Sequence, residues 1–102
     1  MFLIQILLPV QDDRGEEYSR KLYSDLARDL TTRFGELTAY TQAPVNGFWE
    51  KGPGRAFREP VVTFEVMVDA VDREWWAAIR ERLEIQFAQR DLVVRAQEVL
   101  LL

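Results

Sequence analysis

FGELTAYTQAPVNGFWEKGPGRAFREPVVTFEVMV, residues Phe34 to Val68, decides the fold. It contains a helix stop, a strand, a glycine- and arginine-rich loop, and a second strand. Gly35 stands where a left-handed C-cap residue is expected. Leu37 to Gln42 alternates Leu37, Ala39 and Thr41 against Thr38, Tyr40 and Gln42. Val61 to Val68 alternates Val62, Phe64, Val66 and Val68 against Val61, Thr63, Glu65 and Met67. A period of two marks strands with distinct faces. Pro44, Asn46 and Gly47 disrupt the far end of the first strand, and KGPGRAFREP (residues 51–60) separates it from the second. The two therefore make a long hairpin.

Outward from the hairpin, the two halves of the chain are alike. Towards the N-terminus, FLIQILL (residues 2–8) is too short for a stable helix, and Pro9 closes it. Both of its faces are mostly apolar, which predicts a central strand. Asp12, Asp13 and Gly15 supply a loop, and Asp13 with Glu16 has the spacing of a capping box. From Glu16 to Phe34 the residues Tyr18, Leu22, Leu26, Leu30 and Phe34 recur at helical spacing, widened by Tyr23 and Ala27. Towards the C-terminus, Asp72 caps a helix running to Gln89, with Trp76, Ile79, Leu83 and Phe87 as its core stripe. Leu92 to Leu102 is the last strand. The order βαββαβ predicts one α+β domain over residues 1–102. The expected fold is ferredoxin-like: a four-stranded antiparallel sheet, order 4-1-3-2, with both helices on one face.

Composition bounds the chemistry. The 102 residues are 48% apolar and 29% charged, as in an ordinary globular domain. With 13 basic against 17 acidic side chains the net charge is −4, the wrong sign for phosphate neutralisation, so no nucleic-acid partner is expected. The sequence contains neither cysteine nor histidine. That removes thiolate nucleophiles, disulfides, the commonest metal ligand and every triad built on imidazole. No metal and no cofactor are expected, and catalysis would rest on carboxylate, Tyr, Lys or Arg. MFLIQILLPV lacks the basic flank and cleavage site of a leader, and no run approaches the roughly 20 apolar residues of a membrane span. The expected setting is the cytoplasm, with no membrane partner.

If the helices cover one sheet face, the other receives Leu3, Leu7, Met67 and Val93 beside Gln5, Thr38, Tyr40, Glu65 and Arg95. An uncovered apolar face marks a contact surface, so a homodimer through this face is expected. Glu65, Gln5 and Arg95 fall on neighbouring strands. Two readings stand for them. One is a small-ligand pocket in which Glu65 acts as acid/base or acceptor, with Tyr40 and Arg95 as orienting donors. The other is an interfacial polar network that merely pairs buried groups. Glu65 and Tyr40 are the catalytic candidates; Gln5, Thr38, Arg95 and Trp49 complete the candidate ligand-binding set. The loop around Trp49, with Lys51, Arg55, Phe57 and Arg58, is either a lid or a hairpin tip packed on the partner. Trp75 and Trp76 point about 100° apart on a helix, which suits core and boundary packing better than a cofactor box.

Four short pieces carry a resemblance: Arg33-Phe34-Gly35-Glu36-Leu37-Thr38, Gly47-Phe48-Trp49, Arg58-Glu59 and Phe87-Ala88-Gln89. They resemble a family of small uncharacterised bacterial proteins with a ferredoxin-like core. Glu36 stands where similar sequences favour glycine. The architecture is similar to that of the dimeric α+β barrel proteins, which include cofactor-independent monooxygenases and isomerases. The resemblance implies the fold and leaves the activity open. The function expected is small-molecule binding or an accessory interaction through the open face, the alternative being a cofactor-independent enzyme.

Overall fold

The structure, a computed structural model, describes residues 1–35, 39–45 and 59–102, with the backbone alone at 39–45 and 59–60. The elements are β1 (Phe2–Pro9), α1 (Arg20–Phe34), β2 (Ala39–Val45), β3 (Glu59–Val68), α2 (Arg73–Gln86) and β4 (Val93–Glu98). All ladders are antiparallel and the sheet order is β2-β3-β1-β4.

Alternation along β1 and β3 builds the core. Ile4, Ile6 and Leu8 from β1 and Val62, Phe64, Val66 and Val68 from β3 are buried on one face. Tyr23, Leu26 and Leu30 of α1 and Trp76, Ile79 and Leu83 of α2 join them, with Phe87 beyond the end of α2. Phe87 is completely buried. Its ring meets Tyr18 edge-on at 4.9 Å, and its carbonyl accepts from the Tyr18 hydroxyl at 2.6 Å. That hydrogen bond fastens the entry to α1 onto the exit from α2.

Several boundaries differ from the sequence-based expectation, each for a local reason. Helix α1 starts at Arg20, not Glu16, with Ser19 as N-cap accepting from the Lys21 N–H. The expected capping box of Asp13 and Glu16 does not form. Asp12 folds the loop instead: its Oδ1 accepts from the N–H groups of Arg14 and Glu16, and Gly15 takes φ 80°. A bridge between Gln11 and Glu17 then keeps the chain extended where the helix was expected. Helix α2 ends at Gln86, not Gln89, because Ala88 turns to φ 48°. Strand β2 covers Ala39–Val45 rather than Leu37–Gln42, and runs through Pro44, which pairs with Pro60. Proline survives there because β2 is an edge strand. Strand β4 stops at Glu98 instead of reaching Leu102, and Leu100, Leu101 and Leu102 are exposed. The Gly35 cap is found as expected, at φ 82° with its N–H on the Thr31 carbonyl.

These edges correct the regular ferredoxin-like fold expected from the sequence. Two helices do not cover the sheet evenly. β1 and β3 carry the buried strand residues, whereas along β4 only Val94 is half-buried and Ala96 and Glu98 are exposed. The fold is α+β with one edge strand left largely unroofed. That bare edge is where the molecule opens a cleft.

Candidate functional site

The expected polar strip exists at three positions. Gln5 pairs with Glu65 on β3 and with Arg95 on β4, so the three lie side by side on the face turned away from the helices. Gln5 and Glu65 are half-buried and Arg95 is exposed. The Arg95 Nε–H donates to Gln5 Oε1 at 2.7 Å. Among the described residues nothing donates to the Glu65 carboxylate, which remains available to a ligand or a partner. Leu3, Leu7, Thr63 and Met67 surround the strip half-buried, and Val93 is exposed.

Of the other expected members, only Tyr40 falls among the described residues, and there by its backbone. The ladder sets Ala39 opposite Glu65 and Tyr40 opposite Phe64. Parity read from the sequence put Tyr40, not Ala39, beside Glu65. A register one residue away exchanges the two faces of a strand, and alternation inside β2 does not specify which residue pairs with which. Thr38 and Trp49 lie outside the described residues, as do Lys51, Arg55, Phe57 and Arg58 of the loop. No group of three or more carboxylates able to hold a metal ion occurs among the described residues.

On the helix side of the sheet, α2 and the β1–β4 edge enclose a cleft of about 670 Å³. Its walls come from Phe2 and Ile4 of β1, Trp76 and Ala77 of α2, and Val94, Arg95 and Ala96 of β4; Arg73, Arg80 and Asp69 bring charge to it. Sequence inspection missed this place because its helical members were absorbed into a core stripe and a solvated charged face. The signal was present: Arg73, Trp76, Ala77 and Arg80 have the i, i+3, i+4, i+7 spacing of one helix face.

A third polar cluster joins the helices. Arg82 reaches across from α2, its Nη2 lying 2.9 Å from Asp29 Oδ2, while its Nε–H is buried without a partner. Arg33 lies over the Trp75 ring at 5.3 Å and 3.5 Å from Asp72. Asp72 meanwhile caps α2 by accepting from the Trp75 N–H. These contacts tie α1 to α2 and are accounted for by packing.

No helix among the described residues is long and apolar enough to cross a membrane. No family model matches the sequence, and no curated protein matches it. Among solved structures, the chain is similar to a phage SAM lyase in complex with S-methyl-5'-thioadenosine. The TM-score is 0.56 at 16% sequence identity, covering 95% of this chain and 80% of that one. At this identity, the likeness is one of fold.

Proposed function

We propose that the domain binds a small molecule as a homodimer joined through the open sheet face, in the cytoplasm. The observation that carries this reading is the strip of Glu65, Gln5 and Arg95 in register across three strands, ringed by half-buried Leu3, Leu7 and Met67. Apolar surround with a few fixed polar groups is the make-up of a ligand pocket. A second copy laid over this face would complete its burial. Should the partner fill the face entirely, the same surface serves as an accessory interaction module. Likeness of fold to a protein solved with S-methyl-5'-thioadenosine supports small-molecule binding and names the first probe.

A second reading is a cofactor-independent enzyme. It is favoured by the Glu65 carboxylate, which lacks a described donor and stands next to Gln5, with Arg95 one strand further on, so a ligand on this face can reach it as acid/base. With Tyr40 opposite Phe64 in the ladder, this reading rests on Glu65.

Sedimentation velocity and calorimetric titration with S-methyl-5'-thioadenosine test the proposal. A dimer that Leu7→Arg dissociates without loss of circular dichroism, together with ligand binding weakened by Glu65→Gln, is the expected result. A monomer at all concentrations that binds no probe refutes it. Turnover of SAM, lost in Glu65→Gln while folding is retained, would establish the second reading.

A further inference from the structure

We propose that the cleft between α2 and the β1–β4 edge is a second binding site, for a small organic anion (a carboxylate or phosphate) with an apolar body. It lies on the opposite side of the sheet from Glu65 and stands or falls independently of the dimer face.

The cleft is held open by small side chains. Where a closed core would place bulk, α2 offers Ala77 and β4 offers Ala96, both exposed. Well-packed interiors leave few voids, and about 670 Å³ is the size of a ligand pocket rather than a packing fault. The inner wall is rigid. Trp76 is only 6% exposed, and its ring is stacked on Phe34 at 5.4 Å and 4° and braced edge-on by Trp75 at 4.8 Å. With one ring face already occupied, Trp76 gives a fixed apolar wall. Phe2 and Ile4 extend this surface.

Charge sets the ligand's sign. In a chain of net charge −4 this cleft gathers Arg73 and Arg80 against a single carboxylate, Asp69. Ion pairs among the described residues join Lys21, Arg28, Arg33 and Arg82 to Asp25, Asp29 and Asp72. Arg73 and Arg80 enter none of them. Arg95 borders the cleft on β4, but its guanidinium is held by Gln5 on the opposite face, so Arg73 and Arg80 are the donors left for a ligand. A guanidinium presents paired N–H donors that match a carboxylate or phosphate edge, and such charge-assisted bonds are the strong ones.

A matched pair of probes tests the proposal: naphthalene-1-acetate and its neutral amide, titrated into ¹⁵N-labelled protein. The acid is expected to bind about tenfold tighter than the amide, as one charge-assisted contact warrants. Shifts should gather at Ala77, Ala96 and the Trp76 indole. Ala77→Leu should abolish binding of both probes, whereas Ala78→Leu, exposed one residue along the same helix and outside the cleft, should retain it. Arg73→Gln with Arg80→Gln should lower the acid to the amide's affinity. Equal affinity for the two probes, no binding at millimolar concentration, shifts centred on Leu3, Glu65 and Met67, or indifference to Ala77→Leu would each overturn the proposal.

Discussion

Arg95 and Gln5 are joined across the β1–β4 ladder by an Nε–H donating to Oε1 at 2.7 Å. The bond lies between the two proposed sites: Gln5 is on the Glu65 face, and Arg95 also borders the α2 cleft. Gln5→Leu frees the guanidinium while keeping the strand formed. Because the pair is largely exposed, its loss should cost at most about 1 kcal/mol in urea unfolding. Ligand affinity on the Glu65 face should fall more visibly than stability, since a loosened Arg95 must be ordered again on binding, while anion affinity in the α2 cleft should be unchanged.

Phe87 gives the largest expected effect. It is fully buried, and it holds Tyr18 both by ring contact and by its own carbonyl. Phe87→Ala should cost about 3–5 kcal/mol from lost transfer energy and cavity formation. Tyr18→Phe removes only the hydroxyl, leaving a neighbouring carbonyl unpaired, and should cost about 1 kcal/mol. Chemical denaturation of the two variants separates packing from hydrogen bonding.

Gly35 isolates backbone strain. It sits at φ 82°, and a Cβ placed there meets nothing within 4 Å. Gly35→Ala should therefore destabilise by about 1 kcal/mol through the left-handed backbone alone, with no added clash against residues elsewhere in the fold. Gly35→Asn should recover part of the loss in thermal unfolding, since Asn tolerates that region.

Asp25 has a pH dependence of its own among the described residues. A hydrogen bond from Lys21 Nζ at 2.7 Å is the main cause holding its carboxyl below the usual carboxylate range. Partial burial opposes the effect, and the charges of Lys21, Arg28 and Arg82 add to it. A depressed folded-state pKa contributes stability above the ordinary value, and that contribution is lost as pH falls through the lowered one. Lys21→Met should move the Asp25 midpoint upward in a ¹³C titration. The small stability difference between wild type and Lys21→Met at neutral pH should vanish in acid.

The local chemistry of this chain was legible in its residues. Alternation in VVTFEVMV specifies a strand and its buried face, whereas FLIQILL, apolar on both faces, announces a central strand by its length and by Pro9 without saying which face the helices cover. Gly35 and Asp72 announce helix ends because left-handed backbone and orphan N–H groups demand those residue types. The Glu65-Gln5-Arg95 neighbourhood followed from parity along strands rich enough in apolar residues to fix their register. Where the pattern was thin it misled. β2 alternates weakly, so its pairing of Ala39 with Glu65 came from the ladder and not from its own sequence. The loop at Asp12 outcompeted a plausible capping box through hydrogen bonds that only the folded turn makes. The cleft, above all, was a tertiary decision. Ala77, Ala96, Arg73 and Arg80 are unremarkable along the chain, and they form a site because α2 leaves the edge of β4 uncovered.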